Sequence, residues 1–256
     1  MAKREQKHKE IPVNEVPWPK ELTPGVKMGV LWGVAVFIMM LFEWKLGLAA
    51  GIGMAVFVYN QRRTPVGRAR AHFIQGRAAY RKHKLQEALE QFNQALEIMP
   101  DAKAIYPVVG DINFQLVHLP QAKKAYGQYF DYERNDNQMR IWYAGKLMEQ
   151  SLYKEAAQEL ERLPADLKQE IQQLNLLALC YLKTGKIKNA LNTLERHASK
   201  ESGTGEHELI SRYLLARIYI EAGEKVKARR ILEKLDQDRP GFEDVPGLLA
   251  MLEQEK

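Results

Sequence analysis

The chain carries a single cysteine, Cys180, in 256 residues. No intramolecular disulfide can form, and one Cys with six scattered His offers no zinc-ligand spacing. That scarcity fits a reducing compartment. The fingerprints of nucleotide and acyl chemistry are also missing: there is no P-loop, no G-x-S-x-G and no glycine-rich dinucleotide turn. The stretch "HELIS" at 207–211 begins like a zinc-protease helix, but Ser211 stands where the second His belongs. Paired carboxylates such as Glu159/Glu161 and Asp236/Asp238 are expected on solvated helix surfaces. No catalytic residue, metal or cofactor is therefore expected, and the chain reads as a non-enzyme.

Acid is lacking over a long stretch, with no Asp or Glu between Glu43 and Glu87. Residues 1–86 hold 15 Lys/Arg against 5 Asp/Glu, whereas the remainder holds 23 against 27. A basic head beside a greasy segment points to a membrane surface more than to nucleic acid. Nothing in the chain matches a nucleic-acid-binding module, so no nucleic-acid partner is expected.

Two apolar runs are present, 28–42 and 46–59, separated by "EWK" at 43–45. One helix through both would put Glu43 and Lys45 near a bilayer centre, at roughly 3 kcal/mol each. Two helices would instead place those charges at an interface, with Trp44 at headgroup level. The weakness is length, since 15 residues rise only about 23 Å against a hydrocarbon core of roughly 30 Å. A signal peptide fits less well because the apolar run starts late, near residue 28. A soluble apolar hairpin is the alternative. Lys3, Arg4, Lys7 and Lys9 precede the runs, and Arg62, Arg63, Arg68 and Arg70 follow them. The positive-inside rule then puts both ends on the cytoplasmic side of a plasma membrane.

Beyond the runs the sequence repeats itself. Ala88, Ala122, Ala156 and Ala190 are spaced by 34 residues, and Ala228 follows after 38. Twelve residues before each stands Gly76, Gly110, Ala144, Ala178 or Ala216. Four after each stands Phe92, Tyr126, Leu160, Leu194 or Leu232. A period of this length in small and bulky residues means helix pairs that bury a face by stacking on their neighbours.

These residues resemble the tetratricopeptide repeat (TPR) family. The segment "GRAAYRKHKLQEALEQFNQALEIMP" at 76–100 matches the family pattern at Gly76, Tyr80, Ala88, Phe92, Ala95 and Pro100. The fifth copy keeps Ala216, Tyr219, Gly223, Ala228 and Pro240. The second copy departs from it, with Asn113 and Val117 where an aromatic residue and Gly are usual. The fold expected is all-α, an N-terminal transmembrane helical hairpin followed by a TPR α-solenoid of about five helix pairs. Its expected divisions are a basic cytoplasmic tail (1–24), a two-helix membrane anchor (25–61), a basic linker (62–68), the repeats (69–243) and a capping helix (244–256).

The resemblance also implies a concave groove lined by first-helix positions. In the first copy these are Phe73, Arg77, Tyr80 and Arg81, and in the second Phe114. Later copies contribute Ile141, Met148, Tyr213 and Arg217. Such a surface implies a protein or peptide partner, with the aromatic rings as anchors and the arginines reading acidic groups. Arg62, Arg63, Arg68 and Arg70 are expected as a membrane flank that meets lipid. The family's carboxylate-clamp positions are held by Phe73, Arg77 and Val108, which argues against chaperone-tail binding. The expected role is a membrane-anchored scaffold or adaptor that recruits partners at the cytoplasmic face. A structural subunit docked through its hairpin, and a regulator of a membrane protease or envelope-synthesis enzyme, remain the alternatives.

Overall fold

Each of the five repeat alanines is completely buried, and each is the fourth residue of a helix. The computed structural model describes residues 18–22, 33–38, 44–198 and 205–254. The chain divides into two compact units, Met1–Asn135 and Asp136–Lys256. In the first, α1 (Trp44–Arg63) leads into two helix pairs, α2 (Pro65–Arg81) with α3 (Leu85–Ile98) and α4 (Tyr106–Gln115) with α5 (Leu119–Tyr132). In the second, α6 (Asn137–Glu149) pairs with α7 (Tyr153–Glu161), and a short α8 (Ala165–Lys168) follows. Then α9 (Ile171–Lys183) pairs with α10 (Ile187–Ala198), and α11 (Glu206–Glu221) with α12 (Lys225–Asp238). The last helix, α13 (Val245–Gln254), packs on α12 through buried Val245 and Leu252. The described residues contain no strand.

The small residues permit close pairing. A Cβ added at Gly76 would lie 2.9 Å from the Phe92 ring, and one at Gly110 would lie 2.6 Å from the Tyr126 ring. Real Cβ atoms do not approach that closely, so the bulky residue of the second helix occupies the place a side chain on the first would take.

Between the two helices of every pair the backbone makes the same turn. His83, Val117, Ser151, Gly185 and Gly223 all have positive φ, from 55° to 78°. The following residue closes each turn by bonding back to the first helix, as in His118 N–H to the Asn113 carbonyl (2.8 Å) and Glu224 N–H to the Tyr219 carbonyl (2.8 Å). This is the left-handed helix cap for which glycine is preferred. Only the last two copies use glycine. The frame of the fold therefore tolerates a β-branched residue, Val117, in a conformation that L-residues avoid.

A single residue, Thr64, separates α1 from α2. Its hydroxyl donates to the Gln61 carbonyl (2.6 Å) and accepts from the Gly67 N–H (3.1 Å), while Pro65 begins α2. That is an N-cap followed by proline at the first helical position. Gly67 lies so close to Gln61 and Arg62 that a Cβ there would collide with their backbone. The segment 62–68 is thus the end of one helix and the start of the next, not a linker.

The expected transmembrane hairpin is not supported, and with it falls the two-span plasma-membrane localisation. No helix among the described residues is long and apolar enough to cross a membrane. The reason lies in α1, whose apolar stretch 46–59 is bounded by Lys45 and by Asn60, Gln61, Arg62 and Arg63. Fourteen residues rise about 21 Å, well short of a hydrocarbon core of roughly 30 Å. Of the first apolar run, only 33–38 is described, as helix. The remainder of that run and Glu43 lie outside the described residues.

Candidate functional site

In the first unit α2 carries an aromatic and basic face. Arg70, Phe73 and Arg77 recur at three- and four-residue spacing, which places them on one side of the helix. Phe73 is completely buried. Its ring meets Phe92 of α3 at 5.8 Å and, on its other side, the indole of Trp18 edge-on at 5.1 Å. The guanidinium groups of Arg70 and Arg77 lie over that indole at 5.4 Å and 5.8 Å. Among the described residues neither arginine is paired with a carboxylate. Burial, and then the neighbouring Arg81, hold the Arg77 guanidinium below its ordinary pKa. Arg81 itself is exposed.

Tyr80 and Phe114 are buried as well. The Tyr80 hydroxyl accepts a long bond from Gln115 at 3.4 Å, tying α2 to α4. Phe114 packs on Tyr126 at 6.0 Å, and the Tyr126 hydroxyl donates to Asp111. Phe73, Tyr80 and Phe114, expected as open anchors, are therefore covered. The repeat pattern puts them on first helices, as found, but carries no sign of Trp18, which falls in the segment expected as a basic tail. The available signal was a tryptophan bracketed by Pro17 and Pro19 within a charged segment. Prolines restrict the backbone around it and lower the entropy lost on seating the ring.

In the second unit Ile141 and Met148 are half-buried on α6. Tyr213 and Arg217 stand one turn apart on α11, with the guanidinium over the ring at 5.8 Å. The Tyr213 hydroxyl donates to Asp244, and its ring meets Phe242 edge-on at 6.1 Å. The pair thus braces the connection into α13. Burial, then the bond to Asp244, push the Tyr213 hydroxyl up to about 12. Cys180, inside α9, is likewise pushed up to about 12 by burial, which disfavours the thiolate that reactive cysteines require.

Of the basic flank, Arg62 and Arg68 are exposed, and Arg63 stacks on Tyr59 at 4.4 Å. His207 of the "HELIS" stretch lies 2.9 Å from Gln172, and its carbonyl accepts from Asn175. Among the described residues no group of three or more His, Cys, Asp or Glu is placed to hold a metal ion.

Two family models match the chain. One, described as Tetratricopeptide repeat, covers residues 69–102. The other, described as Anaphase-promoting complex, cyclosome, subunit 3, covers 115–197 and 149–235. The chain belongs to the tetratricopeptide-repeat family. Solved structures agree on the fold. YrrB, described as a TPR protein with an unusual peptide-binding site, is 16% identical, with 72% of this chain covering 90% of that one at a TM-score of 0.53. A putative kinesin light chain from Podosopora anserina with nearly identical TPR-like repeats is 19% identical, over 69% and 97% of the two chains, at 0.52. MamA is 18% identical, over 61% and 83%, at 0.51. No curated protein matches significantly by sequence. A TPR array of this kind is a surface for protein–protein interaction, which is the coarse function the fold carries.

Proposed function

We propose that this TPR protein is a scaffold that binds a protein partner through the α2 face of its first unit. The observation that carries this reading is the pair Arg70 and Arg77, two guanidiniums over an aromatic surface with no carboxylate partner among the described residues. Arginine with aromatic rings is the composition of binding hot spots, and unpaired guanidiniums favour a partner segment that brings acid. Arg81 extends the same charge toward the end of α2.

The test is crosslinking in the native cell with a photoreactive residue in place of exposed Arg81, followed by purification and mass spectrometry. The same capture is then run with Arg70→Ala/Arg77→Ala, after circular dichroism shows the helices intact. A partner that vanishes with the double variant supports the reading. A partner that persists overturns it.

A second reading has its own observation. Helix α1 buries Gly47 on one side and exposes Leu46, Leu48, Ile52, Val56 and Phe57 on the rest, and an exposed apolar face of that size belongs in contact with another apolar surface. In that reading α1 docks the chain into a larger assembly. Capture from a photoreactive residue at Val56 and not at Arg81 would favour it.

A further inference from the structure

Residues 18–22 form a small plug on the α2 face. Trp18 seats its indole on Phe73 between Arg70 and Arg77. Lys20–Leu22 then make one 3-10 turn, closed by Leu22 N–H to the Pro19 carbonyl at 3.0 Å. Leu22 is completely buried, and the turn packs on α2.

Its fit leaves polar groups wanting. The Trp18 indole N–H and the Arg77 Nε are both buried, and neither has a hydrogen-bond partner among the described residues. A buried donor left unpaired opposes burial and weakens the seat. An occupant whose indole N–H is buried without an acceptor among the described residues is one that another can replace.

We propose that residues 18–22 are a self-ligand, seated where a partner segment of the same chemistry docks. That chemistry is a tryptophan held between two guanidiniums, with an acid, Glu21, three residues on and a leucine four residues on. The proposal deepens the reading given above and rests on it, since both use the α2 face. Tethering keeps the plug at a high local concentration, so that a partner must compete with it. Binding then uncovers Phe73 and is weak until the plug leaves.

The probe is a fluorescein-labelled peptide of residues 14–24, titrated by anisotropy against the full chain. The Trp18→Ala variant is expected to bind it at least about tenfold more tightly than the wild type, because the tethered competitor is removed. Adding Arg77→Ala to that variant is expected to weaken the peptide about tenfold, as the cation–π seat is lost. Equal affinity for wild type and Trp18→Ala, or no binding to either, overturns the self-ligand. Loss of the helical dichroism signal in Trp18→Ala also overturns it, by making the plug part of the fold. A wild-type dimer in sedimentation that disappears in Trp18→Ala would assign the plug to exchange between copies and overturn it too. If the peptide fails while partner capture still depends on Arg70 and Arg77, only the self-ligand falls and the proposed function stands.

Discussion

In the first unit the place four residues after the repeat alanine is taken by Phe92 and Tyr126, and Phe73 and Phe114 lie against them. In the second unit the same place holds Leu160, Leu194 and Leu232, and long cationic side chains enter the interior. Arg140 is buried and paired with Glu159, which also accepts from Arg162. Arg212 is buried and paired with Asp238. One backbone frame thus accepts two kinds of filling. Rings supply large apolar area, and the one hydroxyl among these four, on Tyr126, is met by Asp111. The buried cationic residues of the second unit carry charges that require partners.

The contrast can be broken at its centres. Phe92→Ala empties the space against Gly76 and Phe73, and is expected to cost about 4 kcal/mol. Urea denaturation followed by circular dichroism measures the loss, and hydrogen exchange is expected to place it in α2 and α3. Glu159→Ala leaves the buried Arg140 guanidinium short of its carboxylate, at an expected cost of about 3 kcal/mol. Exchange should then rise in α6 and α7 while α2 and α3 stay protected. Equal loss of protection in both units would show that the fillings are not independent.

A smaller test uses the turns. Val117→Gly relieves a left-handed β-branched residue and is expected to stabilise the protein by about 1 kcal/mol, partly offset by the freer unfolded chain. Gly185→Ala, at the equivalent turn, is expected to destabilise by about 1 kcal/mol. Thermal unfolding of the two variants should shift in opposite directions.

A further effect appears only in alkali. Burial, then hydrogen bonds to Glu161 and Glu195, push the Tyr181 and Tyr219 hydroxyls up to about 12, against roughly 10 in an unfolded chain. A raised acid contributes stability that is complete below the unfolded value and is lost as pH climbs through the folded one. Stability of the second unit is therefore expected to fall between about pH 10 and about pH 12, and Tyr181→Phe/Tyr219→Phe to flatten that fall. Urea midpoints measured across this interval check it.

The repeat was legible because its cause is steric and periodic. Ala88 and Gly76 are small for a reason that recurs every 34 residues, and spacing survives even where the neighbours change. The turns at Gly185 and Gly223 were legible through glycine, whereas those at His83, Val117 and Ser151 carry no such mark because the surrounding helices impose the conformation. The hairpin was misread because apolar composition does not reveal where a helix ends. The cap at Thr64–Pro65 and the polar close of α1 decide that. The aromatic anchors were misjudged for a related reason. Exposure at Phe73 depends on Trp18, which is 55 residues away in the chain and follows no period.

The Thr64 joint has a mechanical consequence. With one residue between α1 and α2, the two helices share no slack tether, so α1 behaves as a lever set into the first repeat. A pull along α1 is carried by the Thr64 hydroxyl bonds and the Gly67 contact directly into the helix that bears Arg70, Phe73 and Arg77. Whatever grips α1 therefore also holds the orientation of that face.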